Sequence, residues 1–125
     1  MIAIISYEER PWGTFEVLSV FKENCGGVEK DVVIKKIVVH PGKRLSLQSH
    51  RNRDESWLIV SGRGEAVVGS QRVQIEKQKS FFLPKDTKHR ISNSDSSSPL
   101  VFIETSVGDF DENDIVRYKD DFGRA

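Results

Sequence analysis

Two histidines, a glutamate and a glutamine are spaced so that a β-sheet would bring them around one point. In a strand over 44–50, alternation puts Arg44, Ser46, Gln48 and His50 on one face. In the next strand, over 55–61, Glu55 shares a face with Trp57 and Ile59, and a hairpin through 51–54 would return Glu55 to the side of His50. Further on, His89 shares a face with Thr87, Ile91 and Asn93, and joins the other groups if the sheet closes on itself. A neutral imidazole is a strong nitrogen donor, a carboxylate offsets half of a divalent charge, and an amide oxygen fills a position without adding charge. Gln48, His50, Glu55 and His89 are therefore the expected ligands of one divalent metal ion, with positions left open for substrate oxygens. Either histidine alone would read as a surface or hydrogen-bonded group; the combined spacing favours the ion. His40, beside the Pro41-Gly42 turn, has no such company.

The elements that must position these residues are short and apolar. Segments rich in Val, Ile, Phe and Leu over 14–21, 32–40, 44–50, 55–61, 64–68, 72–76, 80–83, 87–93 and 100–105 are predicted as strands. Pro41-Gly42, Ser61-Gly62, Gly69-Ser70 and Pro84-Lys85-Asp86 supply the turns between them. No segment there keeps a helical period, so the fold class is all-β, a barrel or double-sheet jelly roll. The segment over 111–118 starts with acidic residues and then places Ile115, Val116 and Tyr118, which predicts one short helical turn packed on the barrel. Before the first strand, Arg10-Pro11-Trp12-Gly13 combines a stiff proline, an indole and a glycine, and predicts an anchored bend.

A chain of 125 residues suits a single domain over 1–125 with its barrel core at about 14–105. Nineteen basic residues balance nineteen acidic ones, which argues against the broad positive field that nucleic-acid binding needs. The apolar run over 2–5 is too short for a signal peptide, and no stretch is long enough to span a bilayer, so no membrane partner and a cytoplasmic location are expected. The single cysteine, Cys25, has no disulfide partner and no histidine near it in sequence.

The order Gly42, five residues, Gln48-Ser49-His50, four residues, Glu55, six residues, Gly62 resembles the first motif of the cupins. Pro84-Lys85-Asp86-Thr87-Lys88-His89, followed by Asn93, resembles the second. Gln48 replaces the first motif's usual first histidine, and Gln78 and Asp86 stand where the second usually has glycines. With Arg10-Pro11-Trp12-Gly13, the stretch from Pro41 to Gln48, Trp57 to Gly62 and Asp114-Ile115-Val116-Arg117, the chain is similar to the type II mannose-6-phosphate isomerase domain of the cupin superfamily. That resemblance implies a double-stranded β-helix, a Gln, His, Glu, His metal shell, and interconversion of mannose 6-phosphate and fructose 6-phosphate. It also implies a homodimer. In many bacteria this domain is the C-terminal half of a bifunctional enzyme with mannose-1-phosphate guanylyltransferase; that half is absent from these residues, so nucleotidyl transfer is not expected. Relatives carry a histidine where this chain has Ser56, which by strand parity faces away from Glu55.

Such an isomerase needs a cation near the reacting oxygens, a proton carrier and a partner for the phosphate. Zinc is the first expectation for the ion, with manganese, cobalt, nickel and iron also suited to mixed nitrogen and oxygen donors. Arg44, Arg90 and Lys35 are the candidate phosphate partners. Glu104 is the candidate catalytic base, with Arg90 beside His89 as a second catalytic candidate. Two other readings use the same residues. One is a non-haem iron dioxygenase, whose facial triad is also two histidines and a carboxylate. The other is a cupin that binds a sugar phosphate or a metal without turnover.

Overall fold

The computed structural model describes residues 5–125, so the apolar run over 2–5 lies almost wholly outside the described residues. Turn chemistry sets the first hairpins. Gly26 and Gly27 have positive φ angles of 64° and 90°, as a two-residue turn matched to strand twist requires, and Asn24 Oδ1 accepts from the Gly27 N–H at 2.8 Å. This tight turn lets both flanking strands run long: β2 (Gly13–Cys25) and β3 (Val28–Val39) stay paired from Cys25 and Val28 back to Gly13 and Val39. Pro11 and Trp12 form the preceding turn, which pairs β1 (Ser6–Arg10) with the start of β2, and the buried indole of Trp12 anchors the expected bend.

The strands that follow are β4 (Leu47–Ser49), β5 (Arg53–Ser61), β6 (Gly64–Val68), β7 (Gln71–Ile75), β8 (Ser80–Leu83), β9 (His89–Asn93), β10 (Leu100–Gly108) and β11 (Val116–Lys119). They form two antiparallel sheets, ordered β1-β2-β3-β10-β5-β8 and β11-β4-β9-β6-β7. Among the described residues no helix is long and apolar enough to cross a membrane.

Three expectations are corrected. The segment over 111–118 is not helical: Glu112 and Asn113 make a turn, and Val116 and Arg117 enter β11 opposite Ser49 and Gln48. Eight residues gain too few hydrogen bonds to offset helix nucleation, whereas β-branched Ile115 and Val116 suit the free edge of β4. The expected strand over 44–50 shrinks to β4, and Arg44 makes only an isolated bridge to Ser92. Finally, β4 and β5 are not a hairpin. They belong to different sheets, so the chain crosses from one to the other between Ser49 and Arg53.

Inward-facing positions divide the interior in two. β10 buries Leu100 and Phe102, then Glu104 and Ser106; its antiparallel neighbour β5 buries Arg53 and Glu55, then Trp57 and Ile59. Phe102 therefore meets Ile59, Ser106 meets Glu55, and Glu104 faces Trp57 between them. The apolar half joins Ile37, Val39, Ala66, Ile91 and Leu100 in one cluster, where burying a side chain of the size of Leu or Ile contributes roughly 1.5–3 kcal/mol. Trp57 stands at the boundary, edge-on to Phe102 at 5.4 Å between centroids and to His89 at 5.5 Å.

Candidate metal centre

Register builds the site. His89 opens β9 directly opposite Gln48 of β4, and Gln48 lies opposite Arg117 of β11. Directly paired residues share a face of a sheet, so Arg117, Gln48 and His89 form a row across one wall. Glu55 projects from β5 in the other sheet, with Arg53 two residues earlier on the same face. His50 follows the end of β4 and meets Glu55 across the gap.

His50 Nε2 lies 3.2 Å from Glu55 Oε1, and His89 Nε2 lies 3.4 Å from the same oxygen. One ligand atom from each of the three residues falls within 4.8 Å of the others. The remaining ring nitrogens are occupied: His50 Nδ1 donates to the Asp114 carbonyl at 2.6 Å and His89 Nδ1 to the Thr87 carbonyl at 3.0 Å. A carbonyl only accepts, so Nδ1 carries a hydrogen in both rings, and each Nε2 faces Glu55. Glu55 Oε2 accepts from Arg53 Nε and Ser106 Oγ, each at 3.2 Å. By contrast, Glu55 Oε1 and His89 Nε2 are buried without a hydrogen-bond partner among the described residues. An anionic oxygen and two ring nitrogens gathered in a dry site are stable only with positive charge among them, which a bound cation or a ring proton supplies. The donor set therefore fits a divalent ion, and the carbonyls behind both imidazoles fix ring orientation as outer supports of metal ligands do.

The electrostatics sort the acids. Burial opposes the charge on Glu55, yet the two adjacent imidazoles hold its carboxyl well below the usual range. Burial lowers the pKa of His50, but the Glu55 carboxylate outweighs it and His50 ends above its ordinary value. Glu104 goes the other way: burial and the charge of Glu55 push it up to about 7, even though it accepts from Trp57 Nε1 at 3.0 Å.

His50, Glu55, Glu104 and Gln48 line a cavity of about 270 Å³ that also takes in Lys35, Arg53, Arg10, Arg117 and Arg124. His89 is not among the lining residues and joins the site through Glu55. Lys35 is buried in the wall, with Nζ 2.9 Å from Glu112 Oε1 and over the rings of Phe15 and Phe110. Arg44 and Arg90 lie elsewhere. Arg44 is exposed, outside any strand, and its guanidinium donates to both carboxylate oxygens of Asp121 at 2.7 and 2.9 Å. Arg90, one residue from His89 on a strand, faces the opposite side, where it donates to the carbonyls of Leu45 and Lys119. Ser56 is exposed on the outer face of β5.

Four contributors were not anticipated: Arg53, Ser106, Asp114 and Arg117. Arg53 was within reach of parity, being two residues before Glu55. Arg117 lies in the segment read as helical, and Asp114 reaches His50 through its backbone carbonyl, which no side-chain pattern reveals.

Two antiparallel sheets closed around a His-Glu-His cluster define an all-β cupin barrel of the double-stranded β-helix kind. Residues 4–120 match the family described as Mannose-6-phosphate isomerase C-terminal, and the chain belongs to that family. It is 34% identical over 117 residues to the xanthan biosynthesis protein XanB of Xanthomonas campestris pv. campestris, covering 93% of this chain and 23% of that protein. It is 33% identical over 119 residues to mannose-1-phosphate guanylyltransferase 2 of Escherichia coli O157:H7, again covering 93% of this chain and 23% of the relative. The chain thus spans less than a quarter of the length of these curated relatives. In fold it is similar to the capsular polysaccharide assembling protein CapF of Staphylococcus aureus, with a TM-score of 0.76 at 18% identity over 91% of this chain and 34% of the other.

Proposed function

We propose that the chain is a metal-dependent aldose-ketose isomerase that interconverts mannose 6-phosphate and fructose 6-phosphate, with Gln48, His50, Glu55 and His89 holding the ion. The observation that carries this reading is the buried, partnerless pair of Glu55 Oε1 and His89 Nε2, set behind a polar cavity that Glu104 also lines. Family membership supports the substrate class. The donor set suits zinc, manganese, cobalt, nickel or iron, and metal analysis of the purified protein identifies which is present.

Isomerisation takes a proton from one sugar carbon and returns it to the next, and the negative charge that develops on oxygen is the costly part. A divalent ion, when bound, supplies Lewis-acid stabilisation of that charge. Glu104 is suited to the proton: it lines the cavity, and a pKa of about 7 lets it accept and return a proton near neutrality. Glu55 is unsuited, because its carboxyl stays ionised and one of its oxygens is already committed to Arg53 and Ser106. Lys35, opposite Glu104 in register, adds positive charge to the same wall. The apolar half of the barrel, with Trp57 and Phe102 at its boundary, gives the site an apolar wall on that side.

Metal-loaded protein mixed with mannose 6-phosphate in an assay coupled to fructose 6-phosphate should turn over well above a His50→Ala control. Equal rates for the two proteins would overturn the proposal.

A further inference from the structure

The cavity's cations are not equivalent. Lys35 is paired with Glu112, Arg53 with Glu55, Arg10 with Glu8 and Arg124 with Asp120. The side chain of Arg117 alone has no hydrogen bond or ion pair among the described residues, and its Nε is buried without a partner. Burial and the nearby guanidiniums of Arg124 and Arg10 pull its pKa below the ordinary arginine value, against the opposing charge of Asp120, which is itself paired with Arg124. A buried guanidinium N–H left without an acceptor is unfavourable unless an anion completes it.

We infer that Arg117 is the anion subsite of this cavity and takes the phosphate of the sugar phosphate. This rests on the isomerase reading for the sugar, while the anion rests on the unpaired guanidinium itself. The register gives the subsite a direction. Arg117, Gln48 and His89 occupy successive strands of one sheet, so their backbones are spread over two strand spacings, roughly 10 Å. A hexose held by its terminal phosphate at Arg117 points its carbonyl end along this row, past Gln48 and toward the His50, Glu55 and His89 cluster. Arg is suited to this task because its planar fork binds a phosphate through two parallel hydrogen bonds. β11 lies at the edge of its sheet, so this end of the row can admit ligand.

The test is calorimetric titration of inorganic phosphate into the full chain, comparing wild type with Arg117→Met and with Arg44→Met as an exposed control. Arg117→Met should weaken phosphate by about tenfold or more, and Arg44→Met should leave it unchanged, with metal content the same in all three. Arg117→Lys keeps the charge without the fork and should recover part of the affinity. It also serves as the folded variant if the methionine destabilises β11. Wild-type affinity in Arg117→Met, or no phosphate binding by the wild type, overturns the subsite. A protein that binds phosphate through Arg117 yet isomerises nothing overturns the isomerase reading and leaves the subsite standing. A protein that isomerises mannose 6-phosphate with an unchanged KM in Arg117→Met does the reverse.

Discussion

Glu55 and Glu104 sit on adjacent strands, two positions apart in register, and are 2% and 8% exposed, yet their surroundings drive them in opposite directions. Glu55 meets two imidazoles, a guanidinium and a serine hydroxyl. Glu104 meets one indole N–H and the charges of Lys35 and Arg53, which burial and the negative field of Glu55 outweigh. Similar desolvation therefore yields one carboxyl held ionised and another poised near neutrality. Burial sets the size of the penalty, and neighbours decide which protonation state survives it. Such a divergent pair separates holding a cation from carrying a proton.

The harshest way to break that contrast is to remove the imidazoles. His50→Ala or His89→Ala should strip the ion and reduce turnover to background; full metal content in either variant, measured by elemental analysis, would show that Glu55 does not owe its role to them. Next in size, Glu104→Gln should lower kcat by about 10²- to 10⁴-fold while leaving metal content unchanged. The same variant tests the pH linkage. In metal-free protein Glu104 keeps in the folded state a proton that the unfolded chain releases, so stability should fall as pH rises from about 4.5 to about 7, by up to roughly 1.4 kcal/mol per unit of pH. Denaturant titrations across that range should show the slope in the wild type and its loss in Glu104→Gln. Loading an ion beside Glu55 should move the wild-type midpoint below 7, because it offsets the charge that holds Glu104 up.

Smaller changes sharpen the contrast instead. Trp57→Phe removes the only hydrogen-bond donor to Glu104 among the described residues, and should raise its midpoint by about one unit in the pH profile of kcat. Smallest of all, Ser106→Ala leaves Glu55 Oε2 with Arg53 alone; ion affinity should fall by about fivefold, or ~1 kcal/mol, with Glu104 unmoved.

What could be read before the structure was mostly what one strand decides by itself. Alternation placed Glu55 with Trp57 and turned Arg90 away from His89, and the fold keeps both relations. Gln78 and Asp86, standing where cupins usually carry glycine, do adopt the left-handed backbone, with φ of 71° and 63°. Relations between strands were harder. Nothing local says that β4 joins one sheet and β5 the other, so the gap from His50 to Glu55 looked like a hairpin. The 115–118 stretch fits either period over so few residues, and edge pairing with β4 decided it. Arg44 looked aligned with Gln48 only while the intervening chain was assumed to stay extended.

Asp114 does more than its size suggests. Its carbonyl accepts from His50 Nδ1, and its carboxylate accepts from the backbone N–H groups of Arg51 and Asn52 at 2.9 and 3.0 Å. One residue thus ties the crossing between the two sheets to the orientation of a ring in the cluster, so a change at Asp114 would loosen the chain at Arg51 and Asn52 and release the His50 ring together.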